Sequence, residues 1–220
     1  IGEGAVAFKL FMAEQIGGLN IENDNLLLEA LKIVGRLKVP LAVHAEDNLL
    51  LKKAEGELKG ASCNDVEAFI HAHSEDVELK AVKRLLNIAI KANGQVHFCH
   101  ISTERGLKAI IDGKESGMLI TCEATPHHLF LSVDDLRRFG TLALTMPPVR
   151  EKRHGEVLWE GIENGWIDIL SSDHAPHALE EKEAKTVWDV KVGIPGLETM
   201  LPLLLTMMKR GRLAIADAVR

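Results

Sequence analysis

The stretch Ile167-Asp168-Ile169-Leu170-Ser171-Ser172-Asp173-His174-Ala175-Pro176-His177 decides how the chain is read. It starts as a buried strand and runs into a loop. An acid and two histidines at a strand's C-terminal end are poor core material and good material for a metal or proton-transfer site. Two further strand-like runs, Pro40-Leu41-Ala42-Val43-His44 and Gln95 to His100, also end in histidine, and Ala5-Val6-Ala7-Phe8-Lys9-Leu10-Phe11 carries a lysine. Met118 to Ala124 supplies one more strand.

Amphipathic segments alternate with these runs. Asn25 to Lys38 has Leu27, Leu28, Leu31 and Val34 at helical spacing. Helical patterns follow at about 47–59 and 64–72, then from Ser74 as N-cap to Asn93-Gly94 as C-cap. Thr103 to Ser116 and about 155–164 complete the series, and Ser132 with Asp135 has the capping-box pattern. A βαβα order implies a parallel sheet with helical crossovers. An open doubly wound sheet and part of a (β/α)8 barrel both satisfy it. Polar residues at the C-terminal ends of several successive strands favour the barrel, because an open sheet gathers chemistry at one switch point. No glycine-rich phosphate loop is present in the sequence.

Composition agrees with an enzyme domain. The 220 residues are 46% hydrophobic and 26% charged, with a net charge of −6 and no basic stripe, which argues against a nucleic-acid partner. Cys63, Cys99 and Cys122 form no pairing pattern and fit a reducing, cytoplasmic compartment. The apolar segment Leu197 to Met208 is too short to span a membrane and contains Glu198 and Pro202. It is expected to be a core-facing helix, with a subunit contact as the lesser alternative. The start at Ile1 and the end at Ala218-Val219-Arg220 suggest a piece of a longer chain.

Lys9, His44, His100 and Asp173 are the candidate chemistry. Histidine and carboxylate ligands suit zinc, and a catalytic site leaves a position open for water. A lysine ammonium cannot ligate a metal, but a neutral amine carboxylated by carbon dioxide would become a bridging oxygen ligand between two metals. Each residue taken singly has an ordinary structural explanation. Their alignment on successive strands is what points to a site.

Phe8-Lys9-Leu10-Phe11-Met12, Val43-His44-Ala45-Glu46-Asp47, Cys99-His100-Ile101-Ser102, Cys122 to Leu129 and Asp173 to His177 stand in the order and approximate spacing of the cyclic amidohydrolases. The chain therefore resembles the family of dihydroorotases, allantoinases and dihydropyrimidinases (hydantoinases). Asp173 to Lys182 and the His127-His128 pair after Pro126 resemble the dihydroorotase branch in particular. The resemblance implies a metal-dependent (β/α)8 barrel of the hydrolase type. Residues 1–220 would be its central and C-terminal part, about strands 4 to 8, without the N-terminal strands and the small flanking β domain. It implies two zinc ions bridged by carboxylated Lys9, with His44 and His100 on the second metal. Asp173 would be a ligand of the first metal and the general base. His177 would bind the substrate carboxylate, and the backbone at Gly193 would contact the ring. The implied reaction is reversible hydrolysis of dihydroorotate to N-carbamoyl-aspartate. Homo-oligomers, and association with aspartate transcarbamoylase, are implied partners.

Two departures are expected to matter. The family's His-x-His pair is missing, as are the substrate-binding arginine and asparagine of the early strands. His71-Ala72-His73 reads instead as a solvated helix end, so the piece alone is expected to be inactive. Met146 stands before Pro147-Pro148, where a polar residue is usual, and a thioether cannot replace an amide's hydrogen bonds. This keeps allantoinase or dihydropyrimidinase as the alternative substrate class, and an inactive dihydroorotase-like scaffold as the alternative of another kind. Glu46-Asp47 reads as support for His44 or a helix start, and Arg150 as a loop anchor. His97 has no evident partner, and His154 reads as solvated. One of His127 and His128 is structural. The segment of about 178–192 reads as a charged, mobile loop.

Overall fold

A computed structural model describes residues 2–13 and 21–218, apart from the side chain of Asp217. Ile1, Val219 and Arg220, on which the reading of the chain's ends rests, lie outside the described residues. Five parallel strands form one sheet in the order β1 (Phe8–Phe11), β2 (Leu41–His44), β3 (Val96–Phe98), β4 (Ile120–Ala124) and β5 (Ile169–Leu170). The order never reverses. A doubly wound sheet would need a reversal, so the arrangement is that of successive barrel strands.

The two faces of the sheet differ accordingly. Leu10, Val43, Phe98, Cys122 and Ala124 point to one side and are buried. They pack in one core with Leu27 and Leu31 of α1 (Asp24–Leu37), Leu85 of α4 (Glu75–Ala92), Leu107 and Ile110 of α5 (Glu104–Glu115) and Leu158 and Ile162 of α8 (Lys152–Glu163). Lys9, Ala42, His97, Thr121, Glu123 and Ile169 alternate with that set and are half-buried or exposed. Parallel sheets are normally covered on both faces. Here the uncovered face is the one that carries the chemistry-bearing residues.

The helices begin where the sequence supplies caps. Asn23 Oδ1 accepts from the N–H groups of Asn25 and Leu26 at the start of α1, and Thr103 caps α5 through Gly106 N–H. Asp47 caps α2 (Asn48–Gly60) through Leu50 N–H, and Asp65 caps α3 (Val66–Ala72) through Ala68 N–H. Ser74 precedes α4 without a side-chain cap bond, and Asn93 ends it in the left-handed conformation at φ 48°. After the short α6 (Pro126–Phe130), Ser132 and Asp135 form the expected capping box of α7 (Val133–Phe139).

Three expectations need correction. The strands are shorter than the apolar runs. β5 holds two residues of the expected 167–172, although Asp168 and Ser171 N–H groups still donate to Cys122 and Ala124 carbonyls. The 178–192 segment is folded, with α9 (Leu179–Lys182) and a 3-10 turn at Val187–Asp189. Val187 and Val190 enter a second core with Phe69, Leu136, Leu144 and Val149. The last long helix, α10 (Leu197–Lys209), buries Leu204 and Met207 but leaves Leu197, Leu201 and Leu205 at 65%, 62% and 51% exposure, so its core-facing reading holds for one side only. The terminal α11 (Ile215–Ala218) follows.

Candidate metal centre

The C-terminal ends of β2, β3 and β5 bring His44, His100 and Asp173 together, and the charge of Lys9 reaches them from within β1. His44 closes β2 and His100 follows β3 by two residues; both are buried, and His44 Nδ1 lies 3.1 Å from His100 Nε2. Phe11 stacks on the His44 ring at 5.5 Å. Lys9 places its Nζ 5.1 Å from the Phe11 centroid, and its charge works against the burial that pushes up the Cys99 thiol beside His100. Asp173, three residues past β5, is near enough for its charge to couple to Lys9, Glu123 and His44. His100 and Asp173 share a further property. Both are non-glycine residues at positive φ, 35° and 42°. The other described non-glycine cases, Lys38, Ser62 and Asn93, sit at helix ends or turns. Backbone strain of this kind collects at sites where side chains must be aimed.

Burial sets the protonation of these groups. It holds His100 well below the usual imidazole range, and the neighbouring His44, Lys9 and His128 push the same way, so the ring is the neutral form that can ligate a metal. Burial raises the Asp173 carboxyl, and Glu123 adds to this against the pull of Lys9 and His44.

A buried hydrogen-bonded scaffold stands behind the two histidines. Glu46 Oε2 accepts from His44 Nε2 at 2.8 Å, and Oε1 accepts from His73 Nδ1 at 2.8 Å. Burial alone would raise the Glu46 carboxyl, but His73 and His44 outweigh it and hold it well below the usual range. Behind His100, Glu78 accepts from the N–H and hydroxyl groups of both Ser102 and Thr103 at 2.5–3.0 Å. Burial still leaves the Glu78 carboxyl raised. Arg150 Nε donates to Ser102 Oγ at 3.0 Å, and its Nη1 donates to the His73 carbonyl.

This scaffold corrects three sequence readings. His73 is buried rather than solvated; only His71 of that pair is exposed. His154 is buried too, and its Nδ1 accepts from Glu104 N–H at the start of α5. His97 has partners, Thr121 Oγ1 at 2.9 Å and Glu123 Oε2 at 3.1 Å. With Cys99 it forms a set missed in the sequence: ligand atoms of His97, Cys99 and Glu123 lie within 4.8 Å of one another. The period-two alternation of strands put 97 and 99 beside 121 and 123 on one face, which was the available signal.

The residues expected to touch substrate fall on one cross-tied loop. Gly193 has φ +133°, donates its N–H to the Leu144 carbonyl at 2.8 Å and packs so close to Ala175 that an added Cβ would lie 2.6 Å from the Ala175 Cβ. That Cβ would be 3.4 Å from the His177 ring, so His177 and Gly193 are neighbours. His177 Nε2 donates to the Val192 carbonyl at 3.1 Å, and buried Lys182 ties the carbonyls of Leu144 and Gly193 together. Met146, half-buried, lies two residues beyond that tie and precedes a cis bond to Pro147. His128 is the structural member of its pair, held by Thr125 and the Pro147 carbonyl, while His127 lines an apolar cavity of about 470 Å³ between α6 and α10.

The donor set fits a cation. A carboxylate only accepts, so the His44 nitrogen facing Glu46 carries the proton, and the lone pair on Nδ1 faces His100. The five-stranded sheet matches a section of a (β/α)8 barrel of the amidohydrolase type. The superposition with an L-hydantoinase from Arthrobacter aurescens has a TM-score of 0.93 at 33% identity, over 99% of this chain and 49% of that one. A D-hydantoinase from a Thermus species superposes with a TM-score of 0.92 at 25% identity. In sequence the chain is 35% identical to a dihydroorotase of Methanosarcina mazei over 98% of its own length, and 37% identical to that of Halobacterium salinarum over 94%. An L-hydantoinase of Paenarthrobacter aurescens is 33% identical over 98%. The chain spans about half the length of the curated relatives it matches, 46–48%. No family model matches the chain. Over nearly its whole length the chain is similar to cyclic amidohydrolases, dihydroorotases and hydantoinases alike. Among the described residues, no helix is long and apolar enough to cross a membrane.

Proposed function

We propose that the full-length protein is a dihydroorotase, which opens the ring amide of dihydroorotate to N-carbamoyl-aspartate and closes it in the biosynthetic direction. This chain would supply the central and C-terminal barrel strands, and residues outside it the His-x-His pair. The observation that carries the reading is the convergence of His44 Nδ1 and His100 Nε2 beside Asp173, on a chain 35–39% identical to several dihydroorotases. Zinc, with Lys9 carboxylated as a bridge, would act there as a Lewis acid toward water and the ring carbonyl. Asp173 would take the proton of the attacking water and pass it to the ring nitrogen as the C–N bond breaks. Burial raises its carboxyl, which makes the carboxylate a stronger acceptor for that proton. His177 and the Gly193 backbone would hold the substrate carboxylate and ring. A cytoplasmic location, a homo-oligomer and association with aspartate transcarbamoylase complete the proposal.

Met146 favours a second reading, since hydantoinases are also among the relatives at 33% identity. The two readings separate when the full-length protein, supplied with zinc and bicarbonate, is offered dihydroorotate, dihydrouracil and allantoin side by side. Turnover of dihydroorotate alone supports the first. Turnover of dihydrouracil or allantoin instead would make Met146 the specificity residue of that substrate class, and turnover of none, with metal bound at full occupancy, would leave a different cyclic amide or the scaffold.

A further inference from the structure

We propose that His73 is a positioning residue for the metal site: through Glu46 it fixes which ring nitrogen His44 presents to the metal, and Arg150 holds it in that place. The inference rests on His44 and His100 being ligands. His73 comes from the end of α3, far in sequence from either strand tip, and is 1% exposed. Its ring stacks on Phe69 at 4.2 Å, which fixes the ring plane. Its Nδ1 holds Glu46 Oε1, and the second oxygen of that wholly buried carboxylate holds His44 Nε2. With one partner on each oxygen, the carboxylate cannot turn. With the proton of His44 kept on Nε2, Nδ1 is left as the lone pair facing His100 Nε2.

The other end of His73 is held as well. Its backbone carbonyl accepts from Arg150 Nη1, and the same guanidinium reaches Ser102, two residues past His100. His73 is therefore the node at which the supports of both histidines meet, and Arg150 carries that node to the Met146-Pro147-Pro148 loop. Removing the His73 donor leaves a buried carboxylate oxygen unpaired and free to re-aim, and His44 loses its fixed tautomer.

The test uses the full-length protein and reads metal binding rather than turnover. Zinc affinity is measured by chelator competition, and the cobalt-substituted protein by its visible spectrum. His73→Phe keeps the ring and its stack on Phe69 but has no N–H; His73→Asn returns an amide N–H near the Nδ1 position. The expected result is a zinc affinity about 10–100-fold weaker for His73→Phe with an altered cobalt spectrum, largely recovered in His73→Asn. Unchanged affinity and spectrum in a folded His73→Phe would overturn the proposal. A His44→Ala control separates the two layers: if it too leaves affinity unchanged, the ligand assignment fails first. Should His73→Phe not fold, nitrogen-15 spectra of histidine-labelled wild type decide, because a proton on Nδ1 of His44 would sink the idea and one on Nε2 supports it.

Discussion

His44 and His100 stand on the middle strands of the sheet, whereas Lys9 and Asp173 stand on or beyond its two edge strands. The middle pair is buried and backed by Glu46, His73, Glu78, Ser102 and Arg150, all in this chain and all buried. The edge pair is different. Lys9 is exposed, Asp173 is half-buried, and β5 is two residues long. One half of the site is thus set by bonds this chain makes with itself. The other half lies on strand edges whose outer backbone groups are open to further pairing. In a closed barrel those edges are paired, so the edge residues are the ones whose aim depends on closure.

The largest effect should come from the edge and touch chemistry alone. Asp173→Asn keeps the shape and removes the base, so turnover by the full-length protein should fall by about 10²–10⁴-fold. Its stability should change by less than about 0.5 kcal/mol, because Asp173 is only half-buried and supports no core packing. A large loss of stability on denaturant titration would break the contrast between edge and middle.

The reverse pattern is expected in the middle. Glu78→Leu leaves the N–H and hydroxyl donors of Ser102 and Thr103 without their acceptor inside the core. Unpaired buried donors cost about 1–3 kcal/mol each, so a loss of at least about 3 kcal/mol is expected in chemical denaturation. Zinc affinity should drop with it, since Ser102 follows His100 by two residues. A protein of unchanged stability would show that the scaffold is ornament to the packing.

A pH profile sharpens the comparison from outside the His44–His100 scaffold, at His127 in α6. Burial pushes His127 down to about 4 from its ordinary 6.5. The folded chain keeps this ring neutral while the unfolded chain protonates it. Stability is therefore full above about pH 6.5 and falls as pH drops toward 4, by at most roughly 3 kcal/mol. His127→Phe should remove that part of the slope between pH 7 and 4.5, measured as unfolding free energy. An unaltered slope would mean that the acid sensitivity belongs to Glu46 and the middle.

Much of this contrast was legible in the sequence, and the gaps have physical causes. Strand order and some helix ends could be read because they depend on local residues: Asn93 ends α4 in the left-handed conformation and the Ser132–Asp135 box forms, whereas Ser74 precedes α4 without the side-chain bond expected of it. The placement of His44, His100 and Asp173 at or just past strand ends could be read because the apolar runs stop there. His73 could not, because its burial comes from tertiary contacts with Glu46, Phe69 and Arg150 and leaves no mark on a polar His71-Ala72-His73 run. His154 failed for a similar reason: the charged run 150–154 hides a helix start that turns the ring under α5. The charged composition of 178–192 hid Val187 and Val190, which anchor the segment in the second core.

The smallest effect tests the seam between middle and edge. Asp168 precedes β5 and its Oδ2 accepts from Cys122 N–H of β4 at 2.7 Å and from Lys114 Nζ at 2.5 Å. The Lys114 and Asp168 side chains are 20% and 30% exposed, so water already screens the pair. Lys114→Met should then cost no more than about 1 kcal/mol, and less in high salt. Asp168→Ala removes the backbone acceptor as well and should cost more, because Cys122 N–H then loses its side-chain partner. Comparing the two by denaturant titration tells whether β5 is held to the sheet by charge or by the backbone bond. If Lys114→Met proves the costlier change, the edge strand is docked mainly by a surface ion pair, and Asp173 beyond it would move with ionic strength.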